Sequence, residues 1–378
     1  MDFGFSEQQR DVQNLARKIF DDNVNAESLS QYDDYKSDRF DRELWQKLAE
    51  AGLLGVAIDE QFGGMGFGFF ELALLIEEAG RAIAPLPLFS HLIAAAMPLQ
   101  KYASPAQKQQ WLPGVVSGEV LLSAALVEAY NDDPSQPWNT VASKEGDGFL
   151  ISGEKTHVPF AHLADRILLT AKTEDGLVLA LIDPKAKGVS LQEQRVTTYE
   201  PQSVLSLDNV RVSASDVLVS GAEGVAAAQW LAEHCTVALC AHQLGASDKA
   251  MRMTASYTAE RKQFGVLIST FQAVGHRAAS CFIDVECLRL NTYQAISRLD
   301  SGLDAANETQ IAKIWAGDVG HRVSYAAQHL HGGTGIDRDY PLWRYCTWMR
   351  HNEMALGGSA KNLAKLGQRI AAGQAFCQ

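Results

Sequence analysis

Two stretches of this chain combine residue types able to hold a phosphorylated ligand. The first is Tyr257-Thr-Ala-Glu-Arg-Lys-Gln-Phe-Gly265, followed by Phe271-Gln272-Ala-Val-Gly-His276-Arg277. A helix should end there in charged residues and a Phe-Gly turn before a new helix starts. An arginine at such a joint can grip a phosphate with its forked guanidinium, although a lone arginine at a helix end more often sits in solvent. The second stretch, His329-Leu-His-Gly332-Gly333-Thr-Gly335, comes about 70 residues later. Adjacent glycines let a backbone approach a pyrophosphate closely, and exposed N–H groups can cradle its oxygens. Taken alone, a glycine-rich turn more often does no more than break a helix.

The elements that must position these stretches are legible in outline. Ser6 and Gln9 have capping-box spacing, with Leu15, Ile19 and Val24 following at near-helical intervals. Further helices are predicted over about 41–51, closed by Gly52, and over about 70–83, stopping before Pro85. Ser104-Pro105 opens another, ending near Gly114 or Gly118. From about Leu121 the texture changes to short apolar or β-branched runs, at 121–127, 149–152, 166–170, 177–182, 204–207 and 210–212, separated by turn residues. From Gly224 the helical period returns, with segments near 224–259, 271–299, 304–330 and 341–371 long enough for a four-helix bundle. The first is apolar on nearly every side and should be buried. The expected fold class is α+β, in three domains: a helical one over 1–120, a β barrel or sandwich over 121–222, and a helical bundle over 223–378.

Composition excludes several classes. Hydrophobic residues make up 47% and charged residues 21%, the mix of a globular protein with a sizeable core. The net charge of −12 argues against nucleic acid or an anionic membrane as the main partner. No apolar run approaches the ~20 residues of a membrane-spanning helix. The six cysteines all lie from Cys235 onward and show no C-x-x-C spacing. They read as reduced thiols, and with no basic, apolar leader at Met1 the expectation is a soluble, cytoplasmic protein.

The string Arg261-Lys-Gln263-Phe264-Gly265 with Phe271-Gln272 and His276 resembles the signature of the acyl-CoA dehydrogenases, and Gly332-Gly333 resembles the turn that follows it in that family. Glu77-Glu-Ala-Gly-Arg-Ala82, Gln107 to Pro113 with Ser117-Gly118-Glu119, and Gly153-Glu-Lys155 with Ala164-Asp165 are similar to its other landmarks, in the same order. The resemblance covers almost the whole chain. It implies an N-terminal helical domain, a β domain and a C-terminal four-helix bundle, assembled as a homo- or hetero-tetramer. It implies FAD as cofactor, an acyl-CoA thioester as substrate and an electron-transfer flavoprotein as acceptor. Arg261, Gln263, Phe264, Gln272, Gly332 and Gly333 would reach the ADP half of FAD across a subunit interface. The reaction implied is α,β-dehydrogenation, in which a carboxylate takes the α-proton and the β-hydrogen leaves as hydride to the flavin.

The chain departs from the family where that chemistry would occur. At the usual place of the base, after the Gly-Gly turn, it carries Leu356, and at the alternative place, on the first bundle helix, Cys235 followed by Thr236. Leucine cannot take a proton, and a buried thiol without a cationic neighbour is a poor base. Weak substitutes are Glu233 and Glu353, with His234 and His242 behind them. The stretches that would face the flavin ring read Val127-Glu128-Ala129, without the family's hydroxyl, and His157-Val158-Pro159, where a proline has no N–H to donate. His329 occupies the usual glutamine position, with Gln328 one residue earlier. Val158 to Asp165 and Ala84 to Pro87 resemble a bacterial subgroup acting on bulky, often steroid-derived CoA esters, some of whose members are α2β2 heterotetramers with one degenerate chain. The sequence leaves open an enzyme active alone with a relocated base, the non-catalytic partner of such an assembly, a flavin monooxygenase or oxidase on the same fold, or a scaffold without FAD.

Overall fold

The structure, a computed structural model, describes residues 4–374. Helices α1 (Glu7–Asn23), α2 (Ala26–Ser30), α3 (Arg42–Glu50) and α4 (Phe69–Ala82) come first. A π-helical segment, Phe89–Ala96, leads into α5 (Met97–Tyr102) and α6 (Pro105–Ser117). Eight strands follow: β1 (Leu122–Ala125), β2 (Val141–Glu145), β3 (Gly148–Pro159), β4 (Arg166–Thr173), β5 (Gly176–Ile182), β6 (Val189–Gln194), β7 (Gln202–Val212) and β8 (Val217–Gly221). The chain continues through α7 (Ala222–Glu260), the two short strands β9 (Lys262–Gln263) and β10 (Val266–Leu267), then α8 (Gln272–Asp300), α9 (Ala306–His331), α10 (Leu342–Met354) and α11 (Ser359–Ala371). No helix among the described residues is long and apolar enough to cross a membrane.

Helix starts follow local hydrogen bonding. The Ser6 hydroxyl accepts from the Gln9 N–H at 3.1 Å and Gln9 Oε1 accepts from the Ser6 N–H at 3.0 Å. Ser104 and Gln107 repeat that reciprocal pair at the head of α6, with Pro105 in its first turn. Both arrangements satisfy N–H groups that the first turn of a helix leaves without a partner.

Described separately, one compact unit gathers the chain up to Val12, Gln31–Leu72 and Pro85–Cys235. Its sheet runs in the order β6-β7-β3-β2-β4-β5-β8, with β1 paired to β4. The β1–β4 and β2–β4 pairings are parallel and the others antiparallel. Phe149, Ile151, Val158, Ile167, Leu169 and Leu205 are among the side chains of its apolar core. The other unit comprises Gln13–Ser30, Ala73–Ala84 and the chain from Thr236 onward. There Arg289 of α8 bonds Glu77 and Asp248 at 3.3 and 3.0 Å, and the Tyr293 hydroxyl donates to Glu77 at 2.8 Å.

Several elements differ from expectation. The runs 204–207 and 210–212 belong to the single strand β7, because a left-handed Asn209 with an exposed side chain interrupts the apolar alternation without ending the ladder. β2 (VASKE) and β6 (VSLQEQ) are largely polar, so neither showed in hydropathy. The segment 341–371 is two helices rather than one, broken at Ala355-Leu356-Gly357-Gly358. Leu356 there is left-handed, at φ 55°. The fully buried Lys313 ammonium donates to the Asn352 and Glu353 carbonyls at 2.7 and 3.1 Å, a cation placed on the carbonyl end of α10. The Asn362 amide donates to the Gly357 and Gly358 carbonyls at 2.9 and 3.1 Å and secures the other side of the break. The expected burial of α7 holds for its middle, while Val225 and Ala226 near its start are exposed.

A buried ion pair fixes the sheet to the turn after β1. Lys155 Nζ lies 3.0 Å from Glu128 Oε1, with the two side chains 0% and 1% exposed. The carboxylate also accepts from the N–H groups of Trp138 and Asn139 at 2.8 Å and of Thr140 at 3.0 Å. Burial alone would push the Glu128 carboxyl up, but the Lys155 ammonium and these N–H groups outweigh it and hold it at about 2. Removing one charge would strand the other in a dry interior. Glu128→Gln is therefore expected to cost about 3–5 kcal/mol at neutral pH, measured by chemical denaturation. A depressed carboxyl stabilises above its ordinary value and loses that contribution on acidification. The gap between parent and variant should therefore close as pH falls from 4.5 through about 2.

Candidate functional site

Arg261 directly follows α7 and opens a hairpin. β9 and β10 pair antiparallel around Phe264-Gly265, whose φ angles are 54° and 81°. Two left-handed residues are what a tight type I′ turn requires, and Phe264, unusual in that conformation, leaves its ring 93% exposed. The Arg261 N–H donates to Tyr257 O at 2.9 Å and its carbonyl accepts from Ile268 at 2.9 Å, so the backbone is secured while the side chain is not. Arg261, Gln263 and Gln272 are all exposed. The Gln272 amide lies 3.4 Å from His276 Nε2, and no protein group among the described residues pairs with the Arg261 guanidinium.

The Gly-Gly turn closes α9. Gly332 has φ 60° and ψ −136°, a backbone open to glycine, and its N–H donates to the His329 carbonyl. At Gly332 and Gly333 no atom lies within 4 Å of where a Cβ would stand, and both are exposed. Tyr257 ties this turn to the arginine hairpin. Its ring stacks on His331 with centroids 4.2 Å apart, and its hydroxyl lies 3.3 Å from His331 O and 3.4 Å from Thr334 Oγ1. His331 is itself fixed, Nδ1 lying 2.8 Å from Ala327 O and Nε2 3.2 Å from the Tyr340 hydroxyl. Because Tyr257 is one turn before Arg261 and His331 adjoins Gly332, the two phosphate-type stretches share one anchor.

The proton-abstraction candidates are differently placed. Cys235 is fully buried, and desolvation pushes its thiol well above the ordinary range. Glu233 is half-buried and accepts from the Gln229 amide at 2.8 Å. Glu353 lies 2.6 Å from Arg350 and 3.4 Å from His321, its side chain 16% exposed. It is in the last turn of α10, whereas Leu356 lies beyond the helix end, so no common helical face carries both. His234 Nδ1 lies 2.8 Å from Trp230 O and its ring packs against Trp230 and Phe69, burial holding it down at about 4. His242 Nδ1 lies 2.9 Å from the Asn352 amide. Each of these groups already has a structural partner or is sealed in the core.

The stretches expected near a flavin ring offer few donors. The Val127 carbonyl accepts from the Thr156 N–H at 3.0 Å, and Glu128 is committed to Lys155. His157 is exposed and left-handed at φ 55°, its N–H donating to Gln194 Oε1 at 2.9 Å. Val158 is turned into the core, and the Pro159 carbonyl accepts from the Ser123 hydroxyl. No group of three or more His, Cys, Asp or Glu among the described residues could hold a metal ion.

The role of Tyr257 was not read from the sequence, although the residue heads the most informative string. Its signal would have been the pairing of an aromatic one turn before the arginine with a histidine just before the glycines. Lys155 was likewise seen only as a landmark, since its partner Glu128 lies 27 residues away. Of the six cysteines, the five described are free, and Cys377 lies outside the described residues.

The Cys235 thiol is expected to resist iodoacetamide in the native chain at pH 8 and to be alkylated only in denaturant, as peptide mass mapping would show. Native labelling at that pH would restore it as a candidate base.

Residues 6–119 match the model of the acyl-CoA dehydrogenase N-terminal domain, and 222–371 that of the C-terminal domain. Acyl-CoA dehydrogenase FadE27 of Mycobacterium tuberculosis is 34% identical over 98% of this chain and 99% of its own. Among solved structures, the ChsE4-ChsE5 complex from Mycobacterium tuberculosis includes a chain with a TM-score of 0.92, 34% identical over 98% of this chain and 99% of that one. The Tcur3481-Tcur3483 steroid ACAD, solved as a point variant, gives 0.91 and 38% over the same shares. With both terminal domains matched and the fold shared end to end, the chain belongs to the acyl-CoA dehydrogenase family, FAD-dependent oxidoreductases acting on CH–CH bonds.

Proposed function

We propose that this chain is the non-catalytic subunit of a heteromeric acyl-CoA dehydrogenase, completing a partner's FAD site while lacking the base for α-proton abstraction. The observation that carries this reading is the contrast within one chain. Arg261, Gln263, Phe264, Gln272, Gly332 and Gly333 are exposed on secured backbone, while the base positions hold an aliphatic side chain, Leu356, and a sealed thiol, Cys235. General-base catalysis is worth about 10²–10⁴-fold, so neither residue can stand in.

These residues fit the ADP half of FAD. The Gly332-Gly333 turn leaves open the space that a Cβ would fill, which a pyrophosphate needs for close approach to backbone N–H groups. Arg261 offers a bidentate, always-charged partner for phosphate. Gln263 and Gln272 can direct amides, and Phe264 presents an apolar face. When bound, FAD supplies the hydride acceptor for α,β-dehydrogenation. This chain binds and orients the cofactor, and proton abstraction is left to the partner.

The three-domain division at 1–120, 121–222 and 223–378 is the organisation we propose for it. The substrate class is a bulky acyl-CoA, and the named steroid enzyme among the relatives supports that choice. An α2β2 tetramer accords with the relative solved as a ChsE4-ChsE5 complex. An electron-transfer flavoprotein is the acceptor the family implies, and the free cysteines suit a cytoplasmic setting.

Expressed alone, the chain should be colourless. Co-expressed with a catalytic relative, it should yield a yellow complex bleached by acyl-CoA, and Arg261→Ala in that complex should lower its flavin content several-fold. A full equivalent of flavin on the isolated chain, bleached by substrate, would overturn the proposal. Oxygen uptake by the reduced complex without an enoyl-CoA product would instead point to oxidase or monooxygenase chemistry.

A further inference from the structure

His329 is in the last turn of α9, at the position where the family resemblance implies a glutamine, and it has neighbours a glutamine would not need. Arg277 Nη1, from α8, lies 2.7 Å from His329 Nδ1. Arginine carries five N–H donors and no acceptor, so Nδ1 must accept and the ring hydrogen sits on Nε2. Tyr325, one turn earlier on α9, lies parallel to the imidazole, with planes 8° apart and centroids separated by 6.3 Å. The same guanidinium lies 5.8 Å from the centre of the Tyr325 ring. Tyr325 is 64% exposed, and His329 is exposed beside it. The His329 carbonyl accepts the Gly332 N–H, which fixes the residue directly beneath the Gly-Gly turn. No group among the described residues takes the Nε2–H.

A purely structural role for the Arg277–His329 contact would be to tie α8 to α9. That tie exists without it, since Arg322 of α9 makes a two-pronged bond to Asp284 of α8 at 2.7 and 2.8 Å. The feature peculiar to the Arg277 contact is that it selects a tautomer.

We propose that Arg277 is a positioning residue that holds His329 in its Nε2–H form, so that the imidazole offers the ADP half of FAD the N–H donor a glutamine amide would supply. This rests on the reading of Arg261 and the Gly-Gly turn as the FAD contact. A histidine free of Arg277 would divide between two tautomers, and only one would donate from Nε2. A glutamine carries its donor regardless of what stands beside it.

The experiment uses the full chain in its flavin-loaded complex, stripped of flavin and titrated with FAD by fluorescence. Arg277→Ala should weaken FAD binding about twofold, the factor by which an even division between tautomers lowers the competent fraction, while His329→Ala, which removes the donor itself, should weaken it about tenfold. Adding His329→Gln to Arg277→Ala should restore the parent's binding, whereas adding His329→Ala should recover nothing. Arg277→Ala without effect, or no rescue by His329→Gln, would overturn the proposal. Arg261→Ala separates the two readings. If it weakens FAD binding while the Arg277 and His329 variants do not, only the tautomer proposal fails. If it too has no effect, the FAD contact itself is misassigned.

Discussion

The stacking of Tyr257 on His331 is the contact on which the site geometry depends. It joins the last full turn of α7 to the last residue of α9, the two points from which the hairpin and the Gly-Gly turn spring. Neither of those loops packs into the core: Phe264 is almost wholly in solvent and both glycines are open. Loops with so little burial would ordinarily sample many arrangements, at about 1–2 kcal/mol of backbone entropy per residue fixed. The type I′ turn, the capped end of α9 and the aromatic clamp remove much of that freedom in advance. An arginine and a pair of glycines held in a fixed relation can meet a ligand without the cost of ordering them first.

Around the expected base the backbone is ordered too, but to a different chemical result. Leu356 sits in a left-handed link between two helix ends that Lys313 and Asn362 hold in place. The backbone there is specified as firmly as at the hairpin, yet the side chain it presents cannot exchange a proton. Glu353 is close in sequence but belongs to the helix before the break and is engaged by Arg350 and His321. A base could stand at Leu356 without disturbing the Lys313 cap, because that cap bonds carbonyls and not the side chain.

Much of this was legible in the chain before its structure. The capping box at Ser6, the Ser104-Pro105 helix start, the switch of period at Leu121 and its return at Gly224 are local signals, and local signals survive into the fold. The Arg261 and Gly332 strings stand out because their residues are neighbours in sequence. What escaped has a common cause. β2 and β6 are polar, so their pairing is dictated by adjacent strands rather than their own pattern. The break at Leu356 depends on a lysine from another helix. Tyr257 with His331, Lys155 with Glu128 and Arg277 with His329 are contacts between residues far apart in sequence, which no window on one segment can reveal.

The exposed half-site also sets how the protein should behave as a thermodynamic object. If FAD is shared between this chain and a partner, cofactor binding and assembly are linked equilibria, and each strengthens the other by the same free energy. Weakening Arg261 would then loosen the complex as well as release flavin. A defect confined to proton abstraction in the partner would do neither. On the proposed reading, an ADP contact on secured backbone and base positions without a proton acceptor would make this chain a determinant of assembly and flavin affinity rather than of the chemical step.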